Sequence, residues 1–334
     1  FYWIGTRWYV WQVTKDRDRL VPLPVTASQV DALVQAFQRS LVTSLADPVN
    51  SASSPGDEIY TKLVAPVTEG IPADARVVIV PDGALARINF ESLPVPGPTR
   101  HYWLEDVEVA IAPSLGTLSA RVQRRGGKQS DSVLLIGDPV SSDPSFPQLR
   151  YASAEMNAVS KAFAGRTAVY RADQATPGRY REAMPEQFGV VHFTAHAAAN
   201  AESPLDSAVI LSKDGSGYKL YARDVADHPL SADLVTISAC RSAGERTYAG
   251  EGLVGFAWAF LRAGAQRVIA GLWDVDDRST ADLMGHVYTD IAQGRSPSAA
   301  LRAAKLAMIG RGGAAAKPYY WAPFQVFIGS RVIP

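Results

Sequence analysis

The sequence predicts an α/β fold in which a mostly parallel sheet flanked by helices is preceded by a smaller α/β half. Three observations carry that prediction. From Ser132 onward, continuous apolar runs alternate with helical stretches, which is the pattern of strands buried on both faces. The segment RVQRRGGKQSDS, residues 121–132, is basic, polar and glycine-containing with no apolar periodicity. It marks a linker and divides the chain into an N-terminal half, residues 1–125, and a larger domain, residues 126–334. With 334 residues and 47% hydrophobic content, there is enough apolar material for one large core or two ordinary ones.

The elements follow in order. From Phe1 to about Pro24, aromatic and β-branched residues flank the charged KDRDR turn, as in a hairpin with one buried face. Ser28 then N-caps a helix whose Val30, Leu33, Val34, Phe37 and Leu41 share one face. After the polar loop DPVNSASSPGDE and a short helix, RVVIVPDGALARINFESL reads as a strand, a tight turn at Asp82 and Gly83, and a short return. Beyond the linker, SVLLIGDP is a strand, SAEMNAVSKAF a helix, TAVYRA a strand, PGRYREAMPEQ a helix and GVVHFTAH a strand. A hairpin, AVILSKDGSGYKLY, precedes the strand LVTISAC, the helix EGLVGFAWAFLRAG, the strand RVIAGLWDV, two helices from about Ser279 to Ile309, and a last strand FQVFIG.

Composition excludes several function classes. Lys plus Arg and Asp plus Glu each total 33, so charge does not hold the chain to nucleic acid or to an anionic membrane. No apolar run reaches the ~18 residues of a membrane span, and no charged leader precedes an apolar stretch and cleavage site. The expectation is a chain neither inserted nor exported by a signal of its own, working in the cytoplasm. Phe1 opens directly in strand-like sequence, so the chain is expected to be part of a longer polypeptide. Cys240 is the one cysteine, which excludes an internal disulfide and a cysteine-rich zinc site. No cofactor is expected, and no metal, because His192 and His196 have no acidic or cysteine partner at ligand spacing.

In parallel sheets, ligands sit beyond the carboxyl ends of the strands. GVVHFTAH ends at His196, LVTISAC at Cys240, VLLIGD at Asp138, and RVIAGLWDVDD in Asp274, Asp276 and Asp277. A lone cysteine is by default a small buried hydrophobe. Its place at a strand terminus beside a histidine at another is what marks it as a nucleophile, since a nearby imidazole can take the thiol proton and return it to a leaving amine. Backbone N–H groups around Cys240 and Ala197 are candidates to hold the developing oxyanion. His192 points to the same strand face as His196, but it lies inside the apolar run and reads as a hydrogen-bonded core histidine. For the four aspartates, turn-capping competes with lining a pocket that would select Arg or Lys.

The segments VVHFTAH, ADLVTISACRSA, GEGLVGFAWAFLRAGAQRVIAGLWDVDD, SPSAALRAAKLAMI and YYWAPFQVFIG resemble, in order, the CHAT family of caspase-like peptidases. VIVPDGALARINFESL does so upstream. The resemblance implies a caspase-like catalytic domain over residues 126–334 and an inactive, pseudo-caspase-like supporting half over residues 1–125. In this family and the related caspases and separases, the His closing one strand and the Cys closing the next form the dyad; His196 and Cys240 hold those positions. The caspase signature Q-A-C-[RQG]-G, with its His ~50 residues upstream, compares with Ser238-Ala239-Cys240-Arg241-Ser242, 44 residues after His196. Ser238 replaces the Gln with which caspases grip a substrate aspartate, which argues against cutting after Asp, and Ala197 stands where the wider group commonly has Gly. The resemblance further implies a protein or peptide substrate and an upstream tetratricopeptide-repeat region or regulatory partner outside this chain.

Two other classes compete. A catalytically silent CHAT-like scaffold would retain the dyad residues without an open cleft. A nucleotide-binding α/β protein would need a glycine-rich loop after a strand, and neither G-x-G-x-x-G nor a P-loop occurs there.

Overall fold

The computed structural model describes the chain except Thr6, residues 120–130, Ala201, Ser216 and residues 239–246, 249–251, 254–255, 274–275 and 330–334. Its main sheet contains β1 (Arg76–Ile79), β2 (Glu108–Ile111), β3 (Val133–Pro139), β4 (Thr167–Ala172), β5 (Val190–Thr194), β6 (Leu234–Ser238), β7 (Arg267–Gly271) and β8 (Phe324–Ile328). Their order across the sheet is β1-β2-β8-β7-β6-β5-β3-β4. The strands β4, β3, β5, β6 and β7 run parallel to one another. β8 is antiparallel to β7, and β2 and β1 run parallel to β8. The sheet is mostly parallel, and it draws strands from both sides of residues 120–130.

The helices used below are α1 (Ala27–Val42), α2 (Ala152–Ala162), α3 (Phe256–Ala263), α4 (Asp277–Ala292) and α5 (Pro297–Gly310). Every residue of β5 and β6 is buried, because helices cover both faces. His192 and Thr194 of β5 face α2 and α4, where they meet Glu155 and Tyr288. Phe193, between them, faces the other way, with its ring 5.8 Å from that of Phe260 on α3 and 5.5 Å from that of Tyr180. Burying each such side chain contributes about 1.5–3 kcal/mol, so a strand apolar on both faces is stable only at the centre of three layers.

Several sequence expectations shift on this scaffold. α1 buries Val30, Val34, Phe37 and Leu41 as its spacing requires, but its cap is Thr26, not Ser28. Thr26 Oγ1 accepts from the Gln29 N–H at 3.3 Å and the Thr26 N–H donates to Gln29 Oε1 at 2.9 Å, a reciprocal box that starts the helix two residues before Ser28. The segment after Asp82 is not a return strand but two short 3-10 turns, Gly83–Arg87 and Phe90–Ser92. PGRYREAMPEQ breaks at Pro185, which lacks the N–H to continue a helix, into Pro177–Glu182 and Pro185–Gln187. β8 is antiparallel to β7, and the chain reaches it through α4, α5 and the short helix Pro318–Trp321 rather than through the single-helix crossover usual between parallel strands.

Polar contacts fasten the first 111 residues to the rest. Lys305 of α5 is buried, donating to Glu91 Oε2 and, at 2.6 Å, to the Phe324 carbonyl. Asn89 Nδ2 donates to the Ala322 carbonyl at 2.7 Å. Arg302 donates to the carbonyls of Leu104 and Glu105 and to Asp74 Oδ1, each at 2.8 Å. No described helix is long and apolar enough to cross a membrane.

Candidate functional site

The site is organised by the register of β5 and β6. These strands are direct parallel neighbours, with Thr194 opposite Ser238. His196 follows Thr194 by two residues, and Cys240 follows Ser238 by two in the sequence. Cys240 and Asp274 lie outside the described residues.

His196 is half-buried just past the end of β5. Its ring is 5.8 Å from that of Phe146, and Nε2 lies 2.7 Å from the Pro147 carbonyl oxygen. A carbonyl can only accept, so Nε2 carries a proton and donates it there. Nδ1 has no hydrogen-bond partner among the described residues and is the nitrogen left to accept a proton. The backbone continues into a small antiparallel sheet: Ile210 N–H donates to the His196 carbonyl at 2.8 Å, and the buried Ala197 pairs with Val209.

Three of the four aspartates singled out for a substrate pocket have partners. Asp138 Oδ1 accepts from Gln148 Nε2 at 2.7 Å and Oδ2 accepts from the Ser153 hydroxyl. Asp277 Oδ2 accepts from the backbone N–H groups of Arg150 and Tyr151 at 2.9 and 3.3 Å. Asp276 caps α4, its Oδ1 accepting from the Ser279 N–H at 2.8 Å. These three thus do the loop- and helix-capping work that favours Asp in turns. Ser238 is buried, and its hydroxyl has no hydrogen-bond partner among the described residues.

His192 is fully buried and hydrogen-bonded, as a core histidine should be. Its Nε2 lies 2.8 Å from Glu155 Oε1 and 2.9 Å from Thr194 Oγ1, and its Nδ1 lies 2.9 Å from the Tyr288 hydroxyl. Tyr288 donates onward to Thr236 Oγ1 at 2.7 Å, so Nδ1–H donates to Tyr288 Oη. Burial drives the Tyr288 hydroxyl well above the ordinary phenol range and keeps it protonated as that donor. The network spans β5, β6, α2 and α4 immediately beneath the strand ends. His228 is exposed, bonded through Nδ1 to the Asp224 carbonyl at 2.5 Å.

Sequence reasoning missed Pro147 and Phe146, because a backbone carbonyl acceptor carries no side-chain signature. It also missed Glu155, although the signal was present: Glu155 sits in helical register with Ala152, Met156 and Val159, all buried. A carboxylate on an apolar helix stripe must have a buried partner. Among the described residues, no group of three or more His, Cys, Asp or Glu is arranged to hold a metal ion.

Known proteins share this architecture. The yeast separase of a Saccharomyces cerevisiae separase–securin complex superimposes with a TM-score of 0.51 at 13% identity, covering 76% of this chain and 15% of that one. The Arg specific cysteine proteinase gingipain R superimposes with a TM-score of 0.50 at 12% identity, covering 92% and 74%. Both likenesses establish the caspase-like fold. In sequence, mouse tetratricopeptide repeat protein 28 is 36% identical over 113 residues, 34% of this chain but 4% of that relative's length. The model of the CHAT domain matches residues 53–330, and with that match over most of its length the chain belongs to the CHAT domain family.

Proposed function

We propose that the chain is a cysteine endopeptidase that cuts protein substrates with Cys240 as nucleophile and His196 as its proton-transfer partner. The observation that carries this reading is the register at the carboxyl edge of the sheet, where Thr194 faces Ser238 and the two dyad residues each follow by two. In the reaction, the Cys240 thiol proton passes to His196 Nδ1 and the thiolate sulfur bonds to the scissile carbonyl carbon. The oxyanion is held by the backbone N–H groups of Cys240 and Ala197. Collapse breaks the C–N bond as Nδ1–H protonates the departing amine, which leaves a thioester on Cys240. Water, deprotonated by Nδ1, then attacks the thioester, releases the carboxylate product and restores the thiol. The Pro147 carbonyl keeps Nε2 as a donor throughout, so Nδ1 alone shuttles the proton.

A preference for Arg or Lys before the cut belongs to the same proposal. Its support is the acidic segment after β7 and the Arg specificity stated for gingipain R. Asp138 and Asp277 each already hold two donors, whereas the Asp276 carboxylate holds one; Asp274, Asp276 and the Ser238 hydroxyl are the groups assigned to that pocket. Residues 1–125 are proposed to support the catalytic domain of residues 126–334, and an upstream repeat region or regulatory partner to control it. The relative named as a tetratricopeptide repeat protein and the separase bound to securin favour that arrangement.

The test is cleavage of a mixed peptide library by the purified chain beside Cys240→Ala and His196→Ala. The expected result is cutting after Arg or Lys, reduced at least ~10³-fold in both variants. Cutting that survives in either variant would refute the dyad. A wild-type chain that cuts nothing, with Cys240 no more reactive toward a thiol-directed peptide electrophile than a free cysteine, would make the domain a silent scaffold.

A further inference from the structure

We infer that Asp138 and Asp277 are positioning residues for His196, acting together to fix the segment whose Pro147 carbonyl orients the imidazole. The catalytic consequence rests on the dyad reading above; the positioning itself rests on geometry. Residues 144, 145, 147, 148, 150 and 151 are all exposed. Phe146 packs against the core and its carbonyl accepts from the Ser141 hydroxyl at 2.6 Å, so beyond that one side chain apolar burial gives this segment little hold and polar anchors on the far side of Pro147 complete its placement. Asp138 grips it from the end of β3 through Gln148 and Ser153. Asp277 grips it from the start of α4 through the N–H groups of Arg150 and Tyr151. Their contacts fall on Gln148, before Leu149, and on Arg150, Tyr151 and Ser153, after it.

The end of β3 is built for this. Asp138 adopts φ 52°, a left-handed backbone that costs a non-glycine residue roughly 1 kcal/mol or more. It occurs where the pairing of β3 with β4 shifts register between Gly137 and Pro139, a bulge that re-aims the side chain. Gly137 beside it packs so closely on β5 that a Cβ would lie 2.6 Å from the Thr194 carbonyl oxygen. The strand carrying His196 and the turn carrying Asp138 are thereby locked together. α4 and α2, which bracket the segment, are joined below it through Tyr288, His192 and Glu155. As a pocket acid, Asp138 would have to share both oxygens with Gln148 and Ser153, each of which already donates to one of them.

Kinetics and histidine spectroscopy on the full chain test the inference. Asp138→Ala and Asp277→Ala should each lower kcat about 10- to 100-fold, with KM for an Arg- or Lys-containing peptide changed less than about 2-fold. Asp138→Asn keeps an acceptor for Gln148 and offers a donor to the Ser153 oxygen, and should recover most of the loss. In 15N-histidine-labelled protein, the hydrogen-bonded Nε2–H of His196, assigned by its disappearance in His196→Ala, should persist in Asp138→Asn and be lost to solvent exchange in both alanine variants. A raised KM with unchanged kcat in Asp138→Ala would return Asp138 to the substrate pocket, and an unaltered Nε2–H signal in both alanine variants would overturn the positioning role. If Asp138→Ala fails to fold, the exposed pair Gln148→Ala with Ser153→Ala removes the same contacts and must reproduce the effect. Activity that survives in Cys240→Ala would sink the dyad instead, with the imidazole signal still deciding whether the two aspartates position His196.

Discussion

At His192, two ring nitrogens, a carboxylate and three hydroxyls satisfy one another in a space closed to water. Removing one member leaves the others buried without partners, which costs more than the bond was worth. Glu155→Leu should therefore destabilise the protein by about 3–5 kcal/mol, seen as a lowered urea midpoint; addition of a His192 substitution should cost less than the sum of the two. His101 shows the opposite, surface-linked behaviour. Burial alone would lower its pKa, but the Thr99 carbonyl and the Asp106 carboxylate, 3.0 Å from Nε2, outweigh that and raise it. A raised histidine pKa contributes stability that is fully present below the unfolded value of ~6.5 and fades as pH rises through the folded one. The Tm difference between wild type and His101→Gln should accordingly be larger at pH 5.5 than at pH 8.5, and an equal difference at both would refute the linkage. His196 was legible as a residue type just past a strand end. Pro147 was not, because its contribution is a carbonyl every residue possesses.

At the scale of elements, the apolar spacing of α1, α2, α4 and α5 was readable directly, since each buries one stripe at helical period. The polar residues embedded in those stripes, Glu155 and Lys305, mark where one helix is tied to its neighbours. Strand identity was equally readable, but direction was not: FQVFIG reads the same whether it enters the sheet parallel or antiparallel to β7. Close approach of β3 to β5 yields a sharp prediction. Gly137→Ala would put a methyl group 2.6 Å from the Thr194 carbonyl oxygen and 2.7 Å from its Cβ. Neither atom can yield without moving β5, so a cost of about 1–3 kcal/mol is expected, with a lower Tm and, on the proposed mechanism, lower kcat. Thr26→Ala at the head of α1 should cost only about 1 kcal/mol, far from the site and without effect on activity.

Across the whole molecule, the first 111 residues share the sheet with the rest. β1 and β2 join it beside β8, while Glu91 and Lys305 form a buried ion pair across the boundary. Burial pulls the Lys305 amine below its usual range, with the Glu91 carboxylate opposing that shift. Lys305→Met, which leaves Glu91 buried without its cation, should cost about 3–5 kcal/mol, whereas Lys305→Met with Glu91→Leu should recover much of it. Calorimetry of the intact chain should show one cooperative transition, and two separable transitions would show instead that residues 1–125 fold independently. The sequence by itself determined the α/β class, the alternation of strands and helices, the two strands that precede His196 and Cys240 in the chain, and the family. It could do so because periodicity and residue type are local properties of the chain. Only the tertiary structure decided that the sheet is continuous, that β8 reverses direction, and that Asp138 and Asp277 hold the Pro147 segment against His196. Those outcomes depend on which groups meet in space, and a hydrogen bond such as that of Asp277 with Arg150, 127 positions away, leaves no mark on the spacing of either residue.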